Sequence, residues 1–245
     1  MYIRNLGLRS SKVKASVFYT RVMASRPLPA RIAALATLDD PTRRAVFDLV
    51  ARSATAVSRD AAADALGVSR RVAAFHLDRL ADQGLLAVEY RRPPGRTGPG
   101  AGRPTKLYRR ADDEVAVSVP ERHYDMVGGL LAAAVAESID AGAPVQEVLN
   151  RTAYEAGTTI GAAAGNLFTA LEEAGYQPRR QDHDGGAVAL DNCPFHRLAQ
   201  QFTALVCGVN LQLLRGVADG AGDAYLVVLD PSPGRCCVRL RPAPG

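Results

Sequence analysis

The chain has 245 residues, 47% of them hydrophobic but only 6% aromatic, with no tryptophan and a formal charge of +5. Such a composition fits two modest domains better than one and fills the interior with Ala, Leu and Val packed through helices, a mainly α protein with small β elements. The charge divides unevenly, +10 over residues 1–120 and −5 over 121–245, so the first half is expected to meet a polyanion and the second to do something else.

The most apolar stretches, 130–136 and 160–164, are far shorter than the about 20 residues that cross a hydrocarbon layer. No membrane role is expected, and the chain is expected in the cytoplasm. Residues 1–22 hold five basic groups and no acid, without the apolar run of a signal peptide. Residues 1–26 are read as a disordered basic arm or as sequence upstream of the true start, 27–118 as the first domain and 119–245 as the second.

In chain order, Asp40-Pro41 opens a helix to about 53, with a polar cap, proline at the first helical position and Ala45, Leu49 and Val50 inward. Ser58 caps a short helix whose Ala62, Ala65 and Leu66 face the core, and Gly67 ends it. Ser69 caps a third helix to about 83 with Ala73, Leu77 and Leu80 as its buried stripe. Strands are predicted at 85–90 and 105–109 around a Gly/Pro-rich loop, forming a long hairpin. Helices follow at about 121–141, 144–164 and 167–175, strands near 176–180 and 187–190, a helix over 195–217, and a closing hairpin of 225–229 with 236–240. Gly157, Gly161 and Gly165, spaced by four, predict close helix packing.

The order helix, short helix, turn, helix, hairpin contains the helix-turn-helix unit, whose second helix lies in the major groove of DNA. Residues 58–83 are that unit. With Ala73, Leu77 and Leu80 inward, Arg70, Arg71, Ala74, Phe75 and Asp78 fall on the outward side of the third helix. Arginine there can fork onto guanine, small or aromatic side chains can meet a thymine methyl, and Ser69 can hold a phosphate at the helix N-terminus. His76 suits either a phosphate contact or a structural hydrogen bond. The segment 68–86 closely resembles the recognition helix of ArsR-like and MarR-like regulators, which implies a winged helix-turn-helix fold.

Seven basic residues and no acid occupy 91–110. Arg91, Arg92, Arg103 and Lys106 are the candidate phosphate or minor-groove contacts of such a wing. The string Gly102-Arg-Pro-Thr-Lys-Leu-Tyr108 also resembles the wing of a regulator family related to ArsR that includes the SufR-type repressors of iron-sulfur-cluster assembly genes.

All four cysteines, Cys193, Cys207, Cys236 and Cys237, lie after residue 190. Clustered cysteines in a cytosolic chain are metal or cluster ligands, or buried hydrophobes, rather than disulfides, and their spacing matches no compact zinc knuckle. The runs Asn192-Cys-Pro-Phe-His-Arg-Leu-Ala199, Val206-Cys207 and Gly234-Arg-Cys-Cys237 resemble the C-terminal cysteine pattern of SufR-like regulators. That resemblance implies an iron-sulfur cluster held by Cys193, Cys207 and Cys236, although some members carry a further cysteine that is missing here. The fourth position then falls to His196 or His183, or stays open. Strand alternation selects Cys236 over Cys237 as the inward one.

Taken together, the sequence predicts a winged helix-turn-helix domain followed by an α+β sensing and dimerisation domain. Its function is that of a sequence-specific transcriptional repressor binding a double-stranded DNA operator, an inverted repeat, as a homodimer. Val127, Leu130, Leu131 and Val135 are expected at the dimer contact. The competing reading keeps the DNA-binding domain but gives the second domain a small apolar effector and structural cysteines without metal. No phosphate-binding glycine loop, nucleophile elbow or paired acid/base motif is visible, so no enzyme is expected.

Overall fold

A computed structural model describes residues 26–92, 104–181, 185–232 and 234–243. The chain divides into two compact units, Arg26–Val117 and Ser118 onward.

The first unit runs α1 (Leu28–Ala36), a 3-10 turn (Thr37–Asp39), α2 (Pro41–Arg52), β1 (Val57–Ser58), α3 (Arg59–Leu66), α4 (Arg70–Asp82), β2 (Leu86–Arg91) and β3 (Thr105–Arg110). All three predicted caps form: Asp40 Oδ1 accepts from Arg43 N at 2.7 Å, Ser58 Oγ from Ala61 N at 3.0 Å and Ser69 Oγ from Val72 N at 3.2 Å. Gly67, at φ +64°, closes α3 in the left-handed conformation that favours glycine. Ser58→Ala should therefore lower stability by about 1 kcal/mol, measured by denaturant unfolding.

The core of this unit gathers Ala34, Val46, Val50, Ala62, Ala73, Leu77, Leu80, Leu86 and Tyr108. Two predicted stripes are corrected by a step around the helix. Val46 rather than Ala45 is buried in α2, and Ala63 rather than Ala65 in α3. The sheet order is β1-β3-β2, with β3 antiparallel to both neighbours and Tyr108 facing Val57 on one side and Val88 on the other. Helix α1 and strand β1 were absent from the predicted elements; Pro29 near the start of an Ala/Ile/Leu run was the signal for the former.

The second unit contains α5 (Tyr124–Ala141), α6 (Val145–Ala164), α7 (Leu167–Glu173), β4 (Pro178–Gln181), β5 (Ala187–Leu190), α8 (His196–Gln201), α9 (Thr203–Ala221), β6 (Tyr225–Leu229) and β7 (Val238–Pro242). Its sheet is antiparallel in the order β4-β5-β7-β6. The predicted helix over 195–217 is two helices, broken at Phe202 with φ −127° and ψ 50°. No proline or glycine marks the break. Instead Thr203 Oγ donates to the Ala199 carbonyl at 2.7 Å, taking an acceptor that a continuous helix would give to a backbone N–H.

Helices α6 and α9 meet along a glycine seam. A Cβ on Gly157 would lie 1.9 Å from Leu213 O and one on Gly161 2.2 Å from Val217 O. From the other side, Cβ atoms on Gly216 and Gly220 would lie 2.0 Å from Tyr154 O and 2.2 Å from Thr158 O. The close packing read from Gly157 and Gly161 is thus internal to this unit. Gly165 does not join it; at φ +74° it ends α6.

The expected dimer face of α5 is also divided. Val127 and Leu130 are fully buried inside the unit and Leu131 is half-buried, whereas Val135 is 46% exposed. Among the described residues, no helix is long and apolar enough to cross a membrane.

Candidate functional site

Helix α4 presents one face to the core and the other outward. Ala73, His76, Leu77 and Leu80 are buried, while Arg71, Val72, Phe75 and Arg79 are exposed. Arg71 and Phe75, four residues apart, stand at the centre of the outward face. Phe75 is 61% exposed. Among the described residues Arg71 has no ion pair. Arg70 Nε meets Asp60 Oδ1 at 2.5 Å in a solvent-exposed pair, which is weak enough for a phosphate to displace. Ala74 is half-buried beside these residues, and Ser69 caps the helix.

Of its two expected roles His76 takes the structural hydrogen bond, while Asp78 and Lys106 are placed differently from expectation. His76 is only 7% exposed and its Nδ1 accepts from Arg43 Nε of α2 at 3.3 Å, so it braces the helix pair and does not face outward. Asp78 and Lys106 are joined to each other. Asp78 Oδ1 accepts from Lys106 Nζ and from the Tyr108 hydroxyl at 2.6 Å each, and its Oδ2 accepts from Arg59 Nη2 at 2.6 Å. Arg59 Nε also donates to the Tyr108 oxygen at 3.0 Å.

Burial opposes the charge of Asp78, but the hydrogen bonds from Lys106 and Tyr108 and the charges of Lys106 and Arg59 outweigh it and lower its pKa. A depressed folded-state pKa gives stability that is present above the ordinary carboxylate range and lost as pH falls through the lowered value. An NMR titration of Asp78 should therefore show its midpoint below that of an exposed aspartate, and Lys106→Met should move it up. Lys106→Met with no change in the Asp78 midpoint would contradict the network. Sequence reading missed these four partners because they come from α3, α4 and β3, up to 49 residues apart.

On the wing, Arg91 and Arg92 are exposed, Arg91 Nη2 donating to Glu89 Oε1 at 2.7 Å, and Tyr90 is 66% exposed. Arg103 lies outside the described residues.

In the second unit the cysteines form two pairs. Cys207 of α9 and Cys237 ahead of β7 are at disulfide distance, with Cα atoms 6.5 Å apart, inside the usual range for such a bond. This corrects the expectation that the clustered cysteines would form no disulfide. It also separates Cys207 from the expected set of Cys193, Cys207 and Cys236. Cys193 and Cys236 are free and buried, and close enough for each to shift the other's pKa. Cys236 points inward with Val238 and Leu240, as alternation predicted, while Cys237 is half-buried.

Asn210, one turn after Cys207, donates from Nδ2 to Cys236 Sγ at 3.1 Å and accepts the Tyr176 hydroxyl. The Cys236 thiol, the Phe195 backbone N–H and the charge of Arg122 bring the Cys193 thiol to about 7 against its burial. Cys236 is pushed well above the ordinary thiol range by the neighbouring Cys193 thiol and by burial. His196 is exposed at the start of α8, and His183 lies outside the described residues. Among the described residues, no group of three His, Cys, Asp or Glu side chains is arranged to hold a metal ion.

A family model described as a helix-turn-helix domain matches residues 38–89, from the end of the 3-10 turn through most of β2. The first unit is therefore a helix-turn-helix domain continued by a β-hairpin, the module with which DNA-binding transcription regulators hold double-stranded DNA. No curated protein matches the chain. Among solved structures, the crystal structure of human N-acetylserotonin methyltransferase in complex with SAM is similar at 18% identity over 69% of this chain, with a TM-score of 0.22. The chain spans 48% of that protein, and a likeness at this score carries no argument about fold or activity.

Proposed function

We propose that this chain is a sequence-specific transcriptional repressor of the winged helix-turn-helix type, related to the ArsR superfamily and to its SufR-like subgroup. The observation that carries the proposal is the outward face of α4, where an arginine with no ion-pair partner among the described residues and an exposed phenylalanine stand next to a serine-capped N-terminus. Arg71 forks onto a guanine, Phe75 packs against a thymine methyl and the Ser69 end receives a phosphate. Arg70, Arg91, Arg92 and Arg103 supply phosphate or minor-groove contacts on either side.

One recognition helix reads one half-site, so the active species is a homodimer on an inverted repeat with half-sites about one helical turn apart. Sedimentation of the full chain should give a dimer at micromolar concentration, and footprinting should protect two half-sites. A monomer protecting one site would contradict this.

We further propose that the second unit senses iron-sulfur or redox status through its cysteines. What supports this is the gathering of all four cysteines in this unit as two pairs, Cys207 with Cys237 and Cys193 beside Cys236. Four thiolates are the donor set of common iron-sulfur clusters. A cluster on Cys193, Cys207 and Cys236, with His196, His183 or an open position as the fourth ligand, would require the Cys207–Cys237 pair to be reduced and the two cysteine pairs to draw together. A bound cluster supplies redox sensitivity; the chain supplies a tie between α9, which carries Cys207, and the segment leading into β7.

Coupling free energies are typically about 1 to 3 kcal/mol, so roughly 5- to 150-fold in operator affinity is the expected scale. The test compares anaerobically purified protein, cluster-free protein and Cys193→Ser on one operator at one salt concentration. Anaerobic protein without iron and sulfide, or three equal affinities, would refute the sensing proposal and leave the DNA-binding one standing.

A further inference from the structure

Asp78 is half-buried beside the face of α4 proposed to meet DNA, where a carboxylate should repel phosphate. It is instead consumed by three donors. Arg59 comes from α3, Lys106 and Tyr108 from β3, and all three contacts are 2.6 Å long. The Tyr108 ring is fully buried in the core and the Lys106 ammonium sits 5.2 Å from its centroid. Strand β3 is the middle strand of the sheet and pairs with β2 from Leu86↔Arg110 to Arg91↔Thr105. Whatever fixes α4 to β3 therefore also fixes α4 to β2, the other described strand of the hairpin. Two cations against one carboxylate also leave the cluster net positive, so the phosphate repulsion is cancelled.

We propose that Asp78 is a positioning residue that locks the recognition helix to the wing, and that Lys106 serves operator selectivity through this lock instead of through a phosphate contact. The inference rests on the DNA-reading proposal and adds a residue that touches no base. Simultaneous insertion of a helix into the major groove and a wing beside it demands a fixed angle between the two. Short hydrogen bonds between charged groups, half shielded from water, resist bending more than the surrounding apolar contacts do, because they are directional.

The test uses the full chain and a duplex enriched by the wild-type protein from a random-sequence library, with unselected duplex as the comparison. Asp78→Asn keeps the side chain's size and removes its charge. The lock predicts that affinity for the selected duplex falls about tenfold while affinity for unselected duplex holds or rises, since a negative charge has gone. Repeating the enrichment with Asp78→Asn should return the same consensus, less sharply. Lys106→Met should lower selectivity without changing the salt dependence, whereas a phosphate contact would reduce the salt slope by about one. The effects of the two substitutions should add to less than their sum, as directly coupled groups do.

A new base at one position with selectivity undiminished would overturn the lock and make Asp78 a direct reader. An unchanged affinity ratio in Asp78→Asn would overturn it too. Should Asp78→Asn fail to fold by circular dichroism, Tyr108→Phe deletes only the hydroxyl. It should reproduce the loss of selectivity in smaller measure; full selectivity in a folded Tyr108→Phe would then overturn the lock. If the wild type enriches no sequence, the DNA-reading proposal fails and the lock falls with it, whereas enrichment by the wild type with full selectivity in Asp78→Asn defeats the lock alone.

Discussion

Gly157→Ala should unfold or severely loosen the second unit. The new Cβ would lie 1.9 Å from Leu213 O and 2.9 Å from Val217 N. Both are backbone atoms of α9, so no rotamer change relieves the clash and the two helices must move apart. Overpacking typically costs about 1–3 kcal/mol and sometimes more. Alanine's better helix propensity returns only about 1 kcal/mol. Gly216→Ala meets Tyr154 O at 2.0 Å and should behave alike. Gly128→Ala is the control: it is exposed in α5 with nothing within 4 Å of the added carbon, so it should be neutral or stabilising by up to about 1 kcal/mol. Denaturant unfolding of the three variants would show the contrast. Equal stabilities for Gly157→Ala and Gly128→Ala would mean that α6 and α9 do not pack at backbone distance.

Arg71→Ala should cost about 1–3 kcal/mol on the operator and relax base preference at one position in each half-site. Its side chain stands at the centre of the outward face of α4, with the helix fixed behind it by Ala73, Leu77 and Leu80. Arg92→Ala, beyond the end of β2, should weaken selected and unselected duplexes alike and reduce the salt slope by about one. The substitutions touch no buried group, so both proteins should unfold like the wild type. If Arg71→Ala lowers affinity equally for every sequence, α4 holds DNA without reading it.

Elements governed by local chemistry were legible in the sequence. Asp40, Ser58 and Ser69 each announced a helix start by pairing a capping side chain with a following apolar period, and each caps where expected. The Gly/Pro-rich loop announced the hairpin because two β-rich runs flanked it. What depends on distant partners was not legible. For His76 the sequence left a phosphate contact and a structural hydrogen bond both open, and its burial and the bond from Arg43 of α2 decide for the latter. Lys106 reads as one cation in a basic wing until Asp78 is placed against it. The four cysteines could be assigned to one domain by position, but not paired. Pairing requires knowing that α9 lies against the segment entering β7, a contact 30 residues apart in sequence. The exit from helix at Phe202 left no proline or glycine to mark it.

The central claim is that the first unit reads sequence through α4, and the ratio of affinities for selected and unselected duplex at one salt concentration tests it most directly. Specific regulators exceed their own non-specific binding by about a thousandfold or more. The account predicts a ratio of that order for the wild type, most of it lost in Arg71→Ala. A wild-type ratio near one, with affinity falling steeply as salt rises, would mean that the basic half of the chain binds DNA by charge alone.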